Sequence, residues 1–149
     1  MNNTIDISKL KVLFTEAQIQ SKIKEMADEM NKFYAGEEVV AICVLKGAVM
    51  FAVDLLKHLD MPLKMEFIRL SSYNGGTTTT GKVNAVDISL PDLNGKNVLI
   101  IEDIVDTGLT AKFLLDFLHC NFHAKSVKFC SLLDKKITRI ADVDADYYG

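Results

Sequence analysis

Cysteine is sparse and its spacing does not suit cross-linking: Cys43, Cys120 and Cys130 form an odd set of three with no C-x-x-C pair. This excludes a disulfide framework and a dithiol redox motif. The thiols read as reduced core residues, Cys43 and Cys130 inside expected strands and Cys120 at the end of an expected helix. His119 and His123 flank Cys120, but basic groups near a helix C-terminus meet the helix dipole favourably, which explains them without a metal. An excess of positive charge is also missing. Seventeen Lys and Arg against twenty Asp and Glu leave a net charge of −3 and a pI near 5.6, so no basic field exists for nucleic acid. No apolar run is long enough to cross a bilayer, and the polar start Met1-Asn2-Asn3-Thr4-Ile5-Asp6 lacks the basic and apolar regions of a secretory signal. Neither a membrane nor a nucleic acid is expected as a partner, and the expected location is the cytoplasm.

Repeats and linkers are absent too, and low complexity is confined to Asn74-Gly75-Gly76-Thr77-Thr78-Thr79-Thr80-Gly81. With 149 residues and 49% hydrophobic content, one domain over 1–149 can bury roughly two-thirds of its unfolded surface. Thr15-Glu16-Ala17-Gln18 is a capping-box pattern, and Ile19, Ile23, Met26, Met30 and Phe33 follow at helical spacing before Gly36, which predicts an amphipathic helix. Beyond it the chain alternates: strand 39–45, helix 48–59, strand 65–70, a weaker strand 82–89, strand 97–105, helix 107–119 and strand 126–133. Such alternation predicts an α/β fold, a central parallel sheet flanked by helices. Tyr147 and Tyr148 read as core or edge residues of a further strand.

The candidate site is where the run Val98-Leu99-Ile100-Ile101 stops at the acidic pair Glu102-Asp103. Open α/β sheets place their ligands at the C-terminal ends of such strands. The following Asp106-Thr107-Gly108-Leu109-Thr110 has the parts of a phosphate seat: helix-start amides without intrahelical partners, a glycine that permits close approach, and two hydroxyl donors. Three carboxylates beside an anion repel it unless they face another part of the ligand or a divalent cation lies between. The expected ligand is therefore a sugar phosphate whose hydroxyls meet Glu102 and Asp103, with Mg²⁺ held by the same pair. Read on its own, Asp106 is also an ordinary helix N-cap, and Lys46 and Lys135 are ordinary solvated lysines.

Residues 100–110, Ile-Ile-Glu-Asp-Ile-Val-Asp-Thr-Gly-Leu-Thr, resemble the phosphoribosyl-diphosphate (PRPP) motif of the type I phosphoribosyltransferases. Three more segments follow the order of the family's hypoxanthine-guanine branch: Leu45-Lys46-Gly47 after the first strand, Arg69-Leu70-Ser71-Ser72-Tyr73 after the second, and Ser131-Leu132-Leu133-Asp134-Lys135 on a later one. The likeness runs from about Glu37 to the end.

The resemblance implies the type I phosphoribosyltransferase fold and a role in purine salvage. The 5-phosphoribosyl group of PRPP would pass to hypoxanthine or guanine, giving IMP or GMP and diphosphate. By the same resemblance Lys46 and Gly47 form a diphosphate loop, with a non-proline cis peptide between Leu45 and Lys46. Ser72 and Tyr73 reach the diphosphate from the base of a flexible loop, about 71–84, that closes over the site. Glu102 and Asp103 hold the ribose 2′ and 3′ hydroxyls, directly or through Mg²⁺. Asp106 faces purine N7 as general base, the turn Asp106-Thr107-Gly108-Leu109-Thr110 takes the 5′-phosphate mainly through its backbone, and Lys135 donates to the 6-oxo group. The family implies a dimer or tetramer. Its members continue past Tyr147-Tyr148-Gly149 into a hood carrying a stacking aromatic, a second metal-ligating Asp and a diphosphate-binding Arg, so the hood is expected to be incomplete here. A non-catalytic PRPP-binding or regulatory protein on the same fold is the alternative. A flavodoxin-like or receiver-type module also has acidic strand ends, but gives no reason for Lys46, the Gly-Thr loop and Lys135 together.

Overall fold

The computed structural model describes residues 5–72 and 83–149. Its strands are β1 (Val39–Leu45), β2 (Leu63–Ser72), β3 (Val83–Asp87), β4 (Asn97–Val105), β5 (Ser126–Asp134) and β6 (Tyr147–Tyr148). They form one sheet in the order β3-β2-β1-β4-β5-β6. Every neighbouring pair is parallel except β2 with β3. The antiparallel β3 departs from the all-parallel sheet that the alternation predicts. A parallel crossover needs about a dozen residues or more, and β2 and β3 are separated only by residues 73–82.

The helices are α1 (Glu16–Tyr34), α2 (Val49–Leu56) and α3 (Leu109–Asn121). α1 begins as the sequence predicts: the Thr15 hydroxyl accepts from the Gln18 N–H while the Gln18 side chain accepts from the Thr15 N–H. Its buried face is Ile23, Met26, Ala27, Met30 and Tyr34. Phe33, expected in that stripe, is half-exposed instead, edge-on to Tyr34 at 4.9 Å and beneath the Lys128 ammonium. Tyr34 is the residue eleven after Ile23, which keeps it on the same stripe. α3 starts two residues later than expected, because Gly108 (φ +83°) occupies the cap position and keeps Thr107 out of the helix.

β1 is buried on both faces, as a central parallel strand must be. Val39, Ala41 and Cys43 point into a core shared with α1 and α2, while Val40, Ile42 and Val44 point into one shared with α3. β4 repeats the division, Leu99 and Ile101 on the first side, Val98 and Ile100 on the second. The chain thus leaves β1 toward one face and β4 toward the other, and the two connections diverge at a topological switch point. Ser71, Ser72, Val83 and Asn84 belong to paired strands, which trims the loop expected over 71–84. Tyr73 and the remainder of that loop lie outside the described residues. Tyr147 is buried and Tyr148 half-exposed on β6. Cys43 and Cys130 are buried as expected, but Cys120 is exposed, because α3 buries the face that carries Ala111, Leu114 and Leu118. Among the described residues, no helix is long and apolar enough to cross a membrane.

Candidate active site

A cavity of about 180 Å³ opens at the C-terminal end of β4. Its wall runs from Glu102 through Val105, Asp106, Thr107 and Gly108 to Thr110 and Ala111 in the first turn of α3. No side chain caps that helix, and the Leu109 N–H reaches only back to the Thr107 hydroxyl, at 3.4 Å. Asp106 is therefore not an N-cap. Its carboxylate turns the other way, to the Thr138 hydroxyl and to the Lys135 ammonium at 3.9 Å.

Strand alternation separates the acidic pair. Glu102 is buried on the α3 side and lines the cavity, whereas Asp103 is half-buried and meets Gly47 on the α2 side. Burial is the main cause that pushes the Glu102 carboxyl up to about 8, and the neighbouring Asp103 adds to it. Two adjacent carboxylates, one of them buried, suit a hard divalent cation. Mg²⁺ is commonly held by one or two carboxylates together with substrate oxygens. No cluster of three or more His, Cys, Asp or Glu offers a fuller protein cage among the described residues.

Lys46 does not line this cavity. It is exposed at the end of β1, and the peptide between Leu45 and Lys46 is cis, as the resemblance implies. Gly47 brings this turn against Asp103: a Cβ there would lie 2.9 Å from the Asp103 Cγ. Ser72 ends β2 in register with Val83. Leu109 is half-buried at the start of α3. Lys135 is tied to the site by its N–H, which donates to the Val105 carbonyl at 2.9 Å. The structure thus gathers Glu102, Asp106, Thr107, Gly108, Thr110 and Lys135 around one strand end, with Asp103, Lys46 and Gly47 on its far side.

The phosphoribosyl transferase domain family matches residues 12–149. The chain belongs to that family. Within it, the chain is 42% identical to the hypoxanthine-guanine phosphoribosyltransferase of Streptococcus thermophilus strain CNRZ 1066, over 92% of its own length and 76% of that protein's. It is equally 42% identical to the Bacillus subtilis strain 168 enzyme of the same name, over 93% and 77%. A crystal structure of a hypoxanthine phosphoribosyltransferase from Staphylococcus aureus superposes with a TM-score of 0.89 at 39% identity, covering all of this chain and 81% of that one. The type I phosphoribosyltransferase fold follows, and the chain is an enzyme, a phosphoribosyltransferase.

Sequence reasoning missed Thr138 and Arg139. Thr138 meets the Asp106 carboxylate, and Arg139 contacts the backbone of the same turn. Both lie in a stretch without strand or helix periodicity, so the only sequence signal was an Arg five residues after the strand-terminal Asp134.

Proposed function

We propose that this phosphoribosyltransferase works in purine salvage, joining hypoxanthine or guanine to the phosphoribosyl group of PRPP to give IMP or GMP and diphosphate. The observation that carries this reading is a cavity in which a buried carboxylate, Glu102, and a helix start whose cap residue, Gly108, has no side chain come together. A phosphate suits the helix start, and a sugar hydroxyl suits the carboxylate.

In this reading the 5′-phosphate lies on the amides of residues 106–110, with Thr107 and Thr110 adding hydroxyls. Leu109 contributes only its main chain. Glu102 and Asp103 accept hydrogen bonds from the ribose 2′ and 3′ hydroxyls and are the groups that would hold Mg²⁺. When bound, the cation offsets the negative charge that grows on the departing diphosphate. The N9–C1′ bond forms as the C1′–O bond to diphosphate breaks, and the N7 proton of the base passes to Asp106. Lys135 donates to the 6-oxo group, so adenine would meet it donor to donor. Lys46 and Gly47, with Ser72 and Tyr73, take the diphosphate. A cytoplasmic homo-oligomer, dimer or tetramer, completes the reading.

The test is the full 149-residue chain with Mg²⁺, PRPP and hypoxanthine. Equal amounts of IMP and diphosphate are expected. Binding of PRPP without turnover would instead favour a regulator on this fold, a reading that its 42% identity to named transferases over most of the chain does not favour.

A further inference from the structure

Residues 135–143 lie across the turn that follows β4, and Arg139 is at the centre of the contact. The Ile140 and Ala141 N–H groups donate to the Thr107 carbonyl at 2.8 and 3.0 Å. Arg139 Nε donates to the Asp106 carbonyl at 3.3 Å, and its Cδ lies where a Cβ on Gly108 would meet it at 2.8 Å. The other side of the guanidinium donates to Asp134, to the Val143 carbonyl and to Asp144. The Asp134 side chain is only 3% exposed. Its second oxygen has no hydrogen-bond partner among the described residues, with the Lys136 ammonium 3.8 Å away. A carboxylate buried to this degree needs its counter-charge in place, so it holds Arg139 as firmly as Arg139 holds it.

We propose that Arg139, seated on Asp134, is a positioning residue that fixes the backbone of Asp106, Thr107 and Gly108 for a ligand's phosphomonoester. The inference rests on the reading that residues 106–110 hold the 5′-phosphate. A seat made of main-chain amides has no rotamers to adjust, so its geometry depends on whatever clamps the main chain. A planar guanidinium reaches Asp134, Val143, Asp144 and the Asp106 carbonyl at fixed angles, which a lysine ammonium does not reproduce.

The experiment compares calorimetric binding of two probes, ribose 5-phosphate and diphosphate with Mg²⁺, to the full chain and to Arg139→Lys, with a thermal melt of each. Arg139→Lys should weaken ribose 5-phosphate by about ten- to a hundredfold and leave diphosphate unchanged. Equal weakening of both probes, or of neither, overturns the proposal, because a merely structural role does not distinguish one phosphate from the other. The double variant Arg139→Gln with Asp134→Asn, which leaves no buried charge unpaired, must show the same selective loss. In the unmodified chain, ribose 5-phosphate must slow hydrogen exchange at the Ile140 and Ala141 amides; unchanged exchange there overturns the proposal even if both variants fail to fold. An unmodified chain that binds diphosphate but no ribose 5-phosphate overturns the phosphate-turn reading, and this inference with it.

Discussion

Gly47 lies against the carboxylate of Asp103, closely enough that any side chain at residue 47 would occupy the space the carboxylate fills. The φ of Gly47 is not in the left-handed region, so the glycine is there for room rather than for backbone freedom. The contact joins the turn after β1 to the acidic end of β4.

Gly47→Ala should therefore displace Asp103 while sparing the core. We expect kcat/KM for PRPP to fall by about a hundredfold, since a shift of about 1 Å in a positioning group costs that much. The melting temperature should move little. Steady-state kinetics beside a thermal melt measure both, and full activity in Gly47→Ala would show that the Asp103 position is not needed.

Asp106→Asn keeps the shape of the side chain but removes its basicity. Turnover should fall by about 10² to 10⁴, while calorimetric PRPP binding stays within about threefold. If binding and turnover fall together, Asp106 serves the shape of the turn rather than proton transfer.

Glu102→Gln should stabilise the metal-free, ligand-free protein at alkaline pH. The Glu102 carboxyl titrates near 8 in the fold against a usual value of 4.5. Between those values the folded state binds more protons than the unfolded state, so stability falls as pH rises. The ceiling on that loss is about 5 kcal/mol. Melting curves of Glu102→Gln and the parent should coincide below pH 4.5 and separate in the variant's favour as the pH rises to about 8. The same substitution should weaken PRPP binding in the presence of Mg²⁺. Parallel melting curves across this range would mean that Glu102 ionises without cost.

Chelation separates the two ways in which Glu102 and Asp103 can act. Adding EDTA should weaken PRPP binding at least about tenfold if a cation lies between the carboxylates and the ligand. Calorimetry that gives the same affinity with and without EDTA would leave the pair as direct acceptors of the ribose hydroxyls.

Lys135→Met removes the proposed donor to the 6-oxo group and leaves the phosphate turn intact. The KM for hypoxanthine should rise by about ten- to a hundredfold, with PRPP binding unchanged. A loss confined to PRPP would reassign Lys135 to its neighbour Asp106.

Much of the scaffold was legible because it is periodic. The Thr15 capping box, the unbroken apolar run of β1 and the acidic stop of β4 each announce one element through local residues alone. The site turn was legible for the same reason, since its glycine, hydroxyls and carboxylates are consecutive. What escaped is non-local. The choice of Tyr34 over Phe33 for the core is made by the elements packed on α1, and the direction of β3 by the short span from β2. The Gly47–Asp103 contact joins residues far apart in sequence. Residues 135–146 were hidden by misleading hydrophobicity: Ile137 and Ile140 are apolar yet 90% and 73% exposed, while the buried contacts come from Asp134 and Arg139. The cis bond before Lys46 was visible through family likeness, not through any pattern in its own neighbourhood.

The sheet order has one more consequence. The turn after β1 and the turn after β4 belong to adjacent central strands, whereas Lys135 follows β5, one strand further out. In the proposed reading the donor and the acceptor therefore meet separate pieces of chain, and these pieces touch all along Val105, Asp106, Thr107 and Gly108. Exchange of the peripheral piece would therefore alter the proposed nucleobase donor and the clamp on the phosphate turn together, so the two ends of the ligand site are inherited as one unit.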